Sequence, residues 1–286
     1  MTEWQRWKGI MKCVPFEEKR LAKWKPPYII NIKYDGDRCK GYPLAVGYLL
    51  VSSEENPFFS IPHISQTLTK YRQALGQDLD GELYDHNVFL EGGHELIHSI
   101  ASRKVNLHPR HKEISFHLFD IENGKPQIER IQELEKIKRL NIPHISVAPF
   151  WICNSLDEVK KVYDKVISQR YEGIIIRHLY NAYERKRSTF VMKFKPKKKD
   201  EYKIVGWKEE ISKDGVPKGR IGSLIMSSQS GDEFGVSAGL DAGNKEYLWS
   251  IRGLITGLTA EVHYQHLTNK QIPKGTFDIK IPELGI

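Results

Sequence analysis

The amino-acid composition of the chain changes at a short basic segment near residue 200, and this change constrains the fold more than any other feature. The segment reads Lys195-Pro196-Lys197-Lys198-Lys199-Asp200. Before it, apolar residues recur at both strand-like and helix-like intervals. After it, the chain is strand-like and rich in turns, with glycines at 206, 215, 219, 222, 231, 235, 239 and 243. The pattern predicts an α+β domain over residues 1–199 and a small all-β domain, a barrel or a sandwich, over residues 200–286.

The apolar and glycine patterns of the first domain also predict individual elements. Residues 29–32 predict a strand that runs into a turn at Asp35-Gly36. Residues 79–90 predict two short extended pieces around Asp85-His86-Asn87. Helices are predicted over residues 128–140, 156–169 and, after Gly92-Gly93, 94–104.

Basic residues outnumber acidic ones and concentrate in one part of the chain. There are 44 Lys and Arg against 36 Asp and Glu, which gives a net charge of +8 and a pI near 9.1. Eight of the basic residues lie between Arg185 and Lys199, where no acidic residue interrupts them. This concentration favours a polyanionic partner, nucleic acid above all. The alternative is a mildly basic protein that binds no polyanion.

Three further observations limit location and chemistry. No run of 18 apolar residues occurs, which excludes a membrane-spanning helix. Residues 1–8 lack the apolar stretch of a secretory signal, which predicts a cytoplasmic chain, or one in the host cytoplasm if the source is viral. The cysteines at 13, 39 and 153 are odd in number and widely spaced, and predict neither a disulfide framework nor a CxxC metal site.

A lysine stands at the end of the first predicted strand, in Lys33-Tyr34-Asp35-Gly36-Asp37-Arg38. It is either a solvent-facing lysine or a nucleophile. A nucleophilic amine must lose its proton, so its pKa has to fall through desolvation or nearby positive charge. Lys193 and Lys195 are candidates for that charge, because residues two apart in a strand share a face. The same two ammonium groups would suit a triphosphate, although an ordinary solvated lysine face has the same pattern.

Two glutamates could complete a site with these cations. Glu82 lies in the segment Leu79-Asp80-Gly81-Glu82-Leu83-Tyr84, and Glu172 begins the apolar segment Glu172-Gly173-Ile174-Ile175-Ile176-Arg177. A carboxylate at the mouth of an apolar strand is costly unless it is paired or coordinated. Hard oxygen ligands suit Mg²⁺ bridged to phosphates. Surface glutamates on turns are the alternative.

The order of these segments carries more information than any one of them. KYDGDR, LDGELYD, FHLFDI at residues 116–121, EGIIIR and MKFK follow one another as the sequential motifs of the covalent nucleotidyltransferases do. Over about residues 9–286, the chain most closely resembles small ATP-dependent DNA ligases of viral or phage type. The resemblance implies an α+β nucleotidyltransferase domain, with antiparallel sheets flanked by helices, followed by a small all-β OB-fold barrel.

The resemblance also implies a role for each motif residue. Lys33 is the lysine that ATP adenylates, and Arg38 contacts the nucleotide ribose. Glu82 contacts the ribose or a metal ion, Phe119 stacks on adenine, and Glu172 is associated with the metal ion. The implied nucleotide-binding residues together are Ile32, Lys33, Arg38, Glu82, Phe119, Lys193 and Lys195, and the implied metal-binding residues are Glu82 and Glu172.

The activity that this resemblance implies is the sealing of nicks in duplex DNA with ATP and Mg²⁺ or Mn²⁺, by a monomeric protein. Three departures from the family pattern stand out. Ser52-Ser53-Glu54-Glu55 occupies the region where an arginine is usual, and Arg103 is the candidate replacement. The last ten residues retain only Lys280 of a basic C-terminal motif. No recognisable DNA-binding domain precedes residue 9.

Other functions remain open on the sequence alone. The same motifs could serve an RNA ligase or a GTP-using mRNA capping enzyme, or a non-catalytic nucleic-acid binder that kept the scaffold. His94-Glu95-Leu96-Ile97-His98 also fits the HExxH signature of zinc peptidases. Its extended form fails, because Ala101 and Lys104 replace the expected Gly and His. Glu113 and Glu122 are then the nearest candidates for a third ligand.

Overall fold

The structure, a computed structural model, describes residues 9–196, 198–264, 266–268, 271–276 and 278–286. Residues 1–8, on which the expectations about a secretory signal and a preceding domain partly rest, lie outside the described residues, as does Lys197. The chain divides into two compact units, the first ending at Phe194 and the second beginning at Lys195. The division falls five residues before the sequence-based boundary, at the last residue of a strand.

The first unit contains ten strands and six helices within the described residues. The strands are β1 (Lys12–Pro15), β2 (Tyr28–Lys33), β3 (Asp37–Pro43), β4 (Tyr48–Ser52), β5 (Asp78–Tyr84), β6 (Ser115–Glu122), β7 (Ile145–Val147), β8 (Phe150–Cys153), β9 (Gly173–His178) and β10 (Arg187–Phe194). The helices are α1 (Glu18–Leu21), α2 (Pro62–Lys70), α3 (Arg72–Leu75), α4 (His86–Ala101), α5 (Gln127–Arg139) and α6 (Leu156–Ser168), with a 3₁₀ turn at His111–Glu113.

The ten strands form two five-stranded sheets, ordered β1-β10-β9-β2-β8 and β4-β3-β5-β6-β7. All pairs are antiparallel except β1 with β10 and β6 with β7. One continuous apolar cluster includes residues from both sheets, among them Ile30, Leu79 and Met192, together with residues of the flanking helices. The first unit is therefore a mixed fold of helices and sheets built on one large core, with a smaller cluster around Ile29, Ile131 and Leu179.

The predicted helices over 128–140 and 156–169 correspond to α5 and α6 within one residue at each end. The side chain of Ser155 caps α6 by accepting a hydrogen bond from the Glu158 amide at 3.2 Å. The prediction for residues 79–90 is wrong in its second half. Asp85 caps a helix by accepting from the Val88 amide at 2.9 Å, so α4 begins at His86.

Gly92-Gly93 interrupts α4 instead of opening it. Both residues have non-helical backbone angles, with Gly93 at φ +63°, and the helix resumes at His94. It ends at Ala101, three residues before the predicted end at Lys104. The glycines thus give the second half of α4 a direction of its own.

The second unit has a five-stranded antiparallel sheet in the order β13-β12-β11-β14-β17. The elements are β11 (Lys198–Ile211), β12 (Pro217–Ser227), β13 (Glu233–Val236), α7 (Ala242–Ser250), β14 (Thr259–Tyr264), β15 (His266–Leu267), β16 (Pro273–Lys274), β17 (Asp278–Lys280) and a 3₁₀ turn at Pro282–Leu284. The unit is not all-β as predicted, because Asp241 caps the helix α7 by accepting from the Asn244 amide at 2.7 Å. No strand pairing closes this sheet into a barrel within the described part of the unit.

Among the described residues, no helix is both long enough and apolar enough to cross a membrane.

Candidate active site

The chain crosses from one sheet of the first unit to the other through Lys33-Tyr34-Asp35-Gly36-Asp37-Arg38. Lys33 ends β2 in the first sheet, and Arg38 lies in β3 of the second. A Cβ on Gly36 would clash with the backbone oxygen of Leu83, so only glycine fits at this close approach. The Gly36 amide donates to Glu82 Oε1 at 3.2 Å, which ties the turn to β5.

Strand register places several polar side chains on one face of the first sheet. Lys33 pairs with Gly173, Asn31 with Ile175, and Lys193 also with Ile175. Because side chains alternate between faces, the following residues share one face: Asn31, Lys33, Ile175, Arg177, Val191 and Lys193. The opposite face packs into the core, where Met192 is fully buried and the Phe194 ring stacks on Tyr163 with centroids 4.0 Å apart.

One cavity of about 230 Å³ opens between the two sheets beside this face. Its lining includes five of the residues that the motifs single out, Ile32, Lys33, Arg38, Glu82 and Phe119, together with Arg177 and Ser53. A larger depression of about 690 Å³ lies beside Glu17, Trp24 and Phe190, but none of the motif residues lines it. The chemistry therefore identifies the smaller cavity as the candidate site.

Carboxylates surround the amine of Lys33, contrary to the expectation of cationic neighbours. Its Nζ makes a short ion pair with Glu172 Oε2, and both side chains are largely buried. Burial lowers the pKa of Lys33, but Glu172, then Glu82 and Asp35, outweigh it, so the pKa is raised. The sequence argument was wrong on this point: in the structure as it stands, Lys33 is a protonated partner of Glu172.

Glu82 is the second carboxylate of the site. Burial raises its pKa to about 7, although Lys33 and Arg38 act in the opposite direction, and Glu172 adds to the rise. Glu82 and Glu172 thus place two carboxylates within the electrostatic reach of Lys33. This donor set suits a hard divalent cation such as Mg²⁺.

Arg38 and Phe119 lie together in the cavity. The Arg38 guanidinium forms two hydrogen bonds with Asp80, at 2.7 and 2.6 Å, and lies 4.6 Å from the centre of the Phe119 ring. Asp80 is fully buried, so this pair fixes the arginine beside the ring. Phe119 is thereby placed on the cavity wall, where its stacking on adenine stays a prediction.

Arg177 is a site residue that the sequence argument missed. It is buried, lines the cavity, and lies 5.4 Å from the centre of the Phe119 ring. Its guanidinium donates to Asp120 at 2.8 Å and to Asn31 at 3.1 Å. The signal was a charged residue at the end of the run Ile174-Ile175-Ile176, since such a charge requires a buried partner.

Two further predicted residues, Lys193 and Lys195, are not part of the cavity lining. Lys193 lies on the same face of the sheet as Lys33 but does not line the cavity. Lys195 follows the end of β10 and belongs to the second unit, so strand alternation does not extend to it. Their contact with phosphates stays a prediction.

The departures from the family pattern can also be located. Ser53 lines the cavity, so the segment that lacks the usual arginine does reach it. Arg103 is exposed and donates to the backbone oxygen of Ser99 at 3.0 Å, and it is not among the cavity-lining residues. In this conformation it does not replace the missing arginine. Lys280 is exposed at the end of β17.

The two histidines of the HExxH match come together, but with a carboxylate that the sequence argument did not consider. His94 and His98 both contact Asp37. Glu113 pairs with Arg110, and Glu122 pairs with Lys40 and Arg185. Neither glutamate is therefore the third member of this cluster.

Comparison with known proteins settles the family. Residues 10–195 match the family described as the ATP dependent DNA ligase domain, which is more than half of the chain. The chain belongs to the ATP-dependent DNA ligase domain family. The earlier resemblance is thus confirmed, and the comparisons do not favour the capping, RNA ligase or peptidase alternatives.

Curated relatives and solved structures agree with this assignment. The DNA ligases of Enterobacteria phages T4 and T6 are each 35% identical to the chain over 80 residues, which is 28% of this chain and 16% of theirs. The match thus spans about a sixth of the length of these curated relatives. A structure from work on DNA binding by Lig E DNA ligases is 19% identical with a TM-score of 0.77, covering 96% of this chain and all of that one. The ligase of bacteriophage T7 in complex with ATP is 15% identical, with a TM-score of 0.55 over 96% of this chain and 98% of that one. At these identities the structures establish a shared fold.

Proposed function

We propose that this protein is an ATP-dependent DNA ligase that seals nicks in duplex DNA. The observation that carries the proposal is that Lys33, Arg38, Glu82 and Phe119, which come from three separate segments of the sequence, line one cavity in a chain of this family. The first step joins Lys33 Nζ to the α-phosphorus of ATP, while the bond to pyrophosphate breaks and the amine loses a proton. The AMP then passes to the 5′-phosphate at the nick, and attack by the 3′-hydroxyl releases it.

The protein side chains bind and orient the nucleotide. Phe119 offers its ring to adenine, and Arg38, held by Asp80, lies beside that ring at the position proposed for the ribose. Ile32 contributes to the wall next to Lys33. Lys193, on the same face as Lys33, and Lys195 are proposed to stabilise the charge that develops on the transferring phosphoryl group.

The proton on Lys33 has a nearby acceptor in Glu172. The ion pair between them orients the amine, and the same carboxylate can take the proton as the nitrogen becomes bonded to phosphorus. Glu82 and Glu172 are proposed to hold Mg²⁺ or Mn²⁺, which when bound would neutralise phosphate charge and weaken the hold of these carboxylates on the Lys33 proton. Burial raises the pKa of Glu82 to about 7, and a bound cation would favour the ionised carboxylate that coordinates it.

The second unit is proposed to be an OB-fold that contacts the DNA backbone. Its support is the five-stranded antiparallel sheet together with exposed lysines on β11, among them Lys198, Lys203 and Lys208. Phosphate contacts of this kind would supply much of the affinity for duplex DNA. We propose that the protein acts as a monomer in the cytoplasm, where ATP is available.

Intact-mass measurement tests the first step. The protein is incubated with ATP and Mg²⁺, and one added adenylate is expected, mapped by peptide analysis to Lys33. Lys33→Arg should abolish the adduct, because a guanidinium is not a nucleophile at neutral pH. Lys12→Arg is the matched control, since Lys12 lines the same cavity and should keep the adduct. An adduct on Lys12, or one that survives in Lys33→Arg, would refute the role of Lys33.

Nucleotide and substrate choice tests the rest. Labelled ATP should give covalent label and labelled GTP should not. A nicked DNA duplex should be sealed, with a DNA-adenylate accumulating when the nick lacks a 3′-hydroxyl. Label from GTP alone would instead identify a capping-type enzyme. Absence of adduct and of sealing, with DNA binding that is the same in Lys33→Ala, would point to a binder without catalysis.

A further inference from the structure

A cluster of two imidazoles and one carboxylate lies at the start of β3. Asp37 lies between His94 and His98, which follow one turn apart in the second half of α4. The His98 Nδ1 atom is 2.9 Å from Asp37 Oδ1 and 3.0 Å from Oδ2, and the His94 Nε2 atom is 3.4 Å from Oδ1. Within the residues that the structure describes, no other group of three such side chains comes together in this way.

The backbone on both sides holds these side chains in place. Asp37 follows the constrained Gly36 turn and pairs with Leu83 in β5. The interruption at Gly92-Gly93 sets the direction of the helix that carries the histidines. Their rings are nearly parallel, at 16°, with centroids 5.7 Å apart. A spacing of four residues in a helix therefore presents both rings to the same carboxylate.

We propose that Asp37, His94 and His98 bind a single Zn²⁺ ion. Zinc bonds to His nitrogen and Asp oxygen are about 2.0–2.1 Å long, and tetrahedral ligands on such bonds lie about 3.3 Å apart. The His98 Nδ1–Asp37 Oδ1 distance of 2.9 Å and the His94 Nε2–Asp37 Oδ1 distance of 3.4 Å are close to that separation. All three ligand atoms lie within 4.8 Å of one another, so side-chain rotation would bring them onto one ion, with water completing the coordination.

The chemistry of the ligands separates this site from the proposed magnesium site. Imidazole nitrogen suits zinc and other transition ions, whereas Mg²⁺ prefers oxygen and keeps much of its water. Glu82 and Glu172 offer only oxygen. His98 is 57% exposed and His94 37%, so an ion can enter from solvent without opening the fold.

A zinc ion at this place would attach the Lys33–Arg38 turn to α4. It would link Asp37, one residue before Arg38, to a helix that lies about fifty residues further along the chain. Zinc binding would raise the free energy of unfolding, and tighter binding would raise it more, because the unfolded chain does not hold the three ligands together.

Zinc titration of the metal-free full-length protein by calorimetry tests the proposal. With ZnCl₂ as the probe and excess Mg²⁺ present, one ion per chain is expected, together with a higher Tm. His94→Gln and His98→Gln should each weaken binding at least about tenfold and remove the Tm increase. His108→Gln is the matched control, since His108 lies outside the cluster, between α4 and the 3₁₀ turn at His111–Glu113, and the variant should bind zinc like the unchanged protein.

Co²⁺ substitution and a fourth variant make the outcome decisive. Cobalt bound at the cluster should give visible absorption that both cluster variants lose and His108→Gln keeps. Glu172→Gln should retain zinc binding. The proposal is overturned by no binding, by equal binding in the cluster variants, or by loss of zinc in Glu172→Gln, which would place the ion among the carboxylates beside Lys33. None of these readouts depends on ligase activity, so they fail or succeed separately from the proposed function.

Discussion

Replacement of Asp120 by Asn should destabilise the first unit more than any surface change, because this one carboxylate forms ion pairs with two buried arginines, Arg130 and Arg177. Asp120 is 1% exposed and Arg130 is completely buried. Arg130 Nε donates to Asp120 Oδ1 at 2.7 Å, and Arg177 Nη1 donates to Oδ2 at 2.8 Å. Asparagine keeps the shape but removes the charge, and it can offer only one carbonyl oxygen to the two guanidinium groups.

The magnitude follows from these contacts. Removing one partner of a buried ion pair costs about 3–5 kcal/mol, because the remaining charge stays buried without compensation. A single hydrogen bond to a charged group accounts for about 1.5–3 kcal/mol. Arg130 keeps its contacts with Gln127 and Asn181, at 2.6 and 3.0 Å, which limits the loss. We therefore expect Asp120→Asn to lower the free energy of unfolding by about 3–5 kcal/mol.

Urea denaturation followed by hydrogen exchange measures this loss, since exchange resolves amides of β6 and β9 in the first unit from those of the second. Asp164→Asn is the matched control: Asp164 is exposed on α6 and its replacement should change the free energy of unfolding by no more than about 0.5 kcal/mol. A loss below about 1 kcal/mol in Asp120→Asn would show that the carboxylate does not compensate both arginines.

Three further changes test the electrostatics of the chain. Glu172→Gln should lower the pKa of Lys33, because the carboxylate that opposes the effect of burial is removed. NMR titration of the isotopically methylated lysine measures this pKa, and an unchanged value would contradict the ion pair. Glu82→Gln should gain stability relative to the unchanged protein as the pH rises from about 4.5 to about 7. The folded pKa of Glu82 is raised, so the unchanged protein loses stability over that window, because the carboxyl ionises in the unfolded chain while the buried one keeps its proton. Parallel stability curves would refute this. Binding to duplex DNA should weaken steeply with salt, and Lys198→Gln should reduce the slope of log K against log salt by about 1, while Lys138→Gln on α5 leaves it unchanged.

The fold was predictable where periodicity was long and local. Helices α5 and α6 could be placed closely because each carries its own apolar stripe. The start of α4 was missed because the turn-forming segment Asp85-His86-Asn87 suggested a break between strands. In the structure the same Asp85 is a helix cap, which depends on the Val88 amide and not on composition. The helix α7 was missed in the same way, hidden in a glycine-rich region that otherwise predicted strands.

The candidate site was predictable in its residue types but not in its charges. The motifs identified Lys33, Glu82 and Phe119, which the structure brings into one cavity. Whether cations or carboxylates lie beside Lys33 depends instead on the register of β2 against β9. Pairing of Lys33 with Gly173 brings the preceding residue, Glu172, to the amine. A shift of one residue would send the side chain to the other face of the sheet. Sequence order cannot supply that register, and so an amine expected among cations lies among carboxylates, which favour its protonated form.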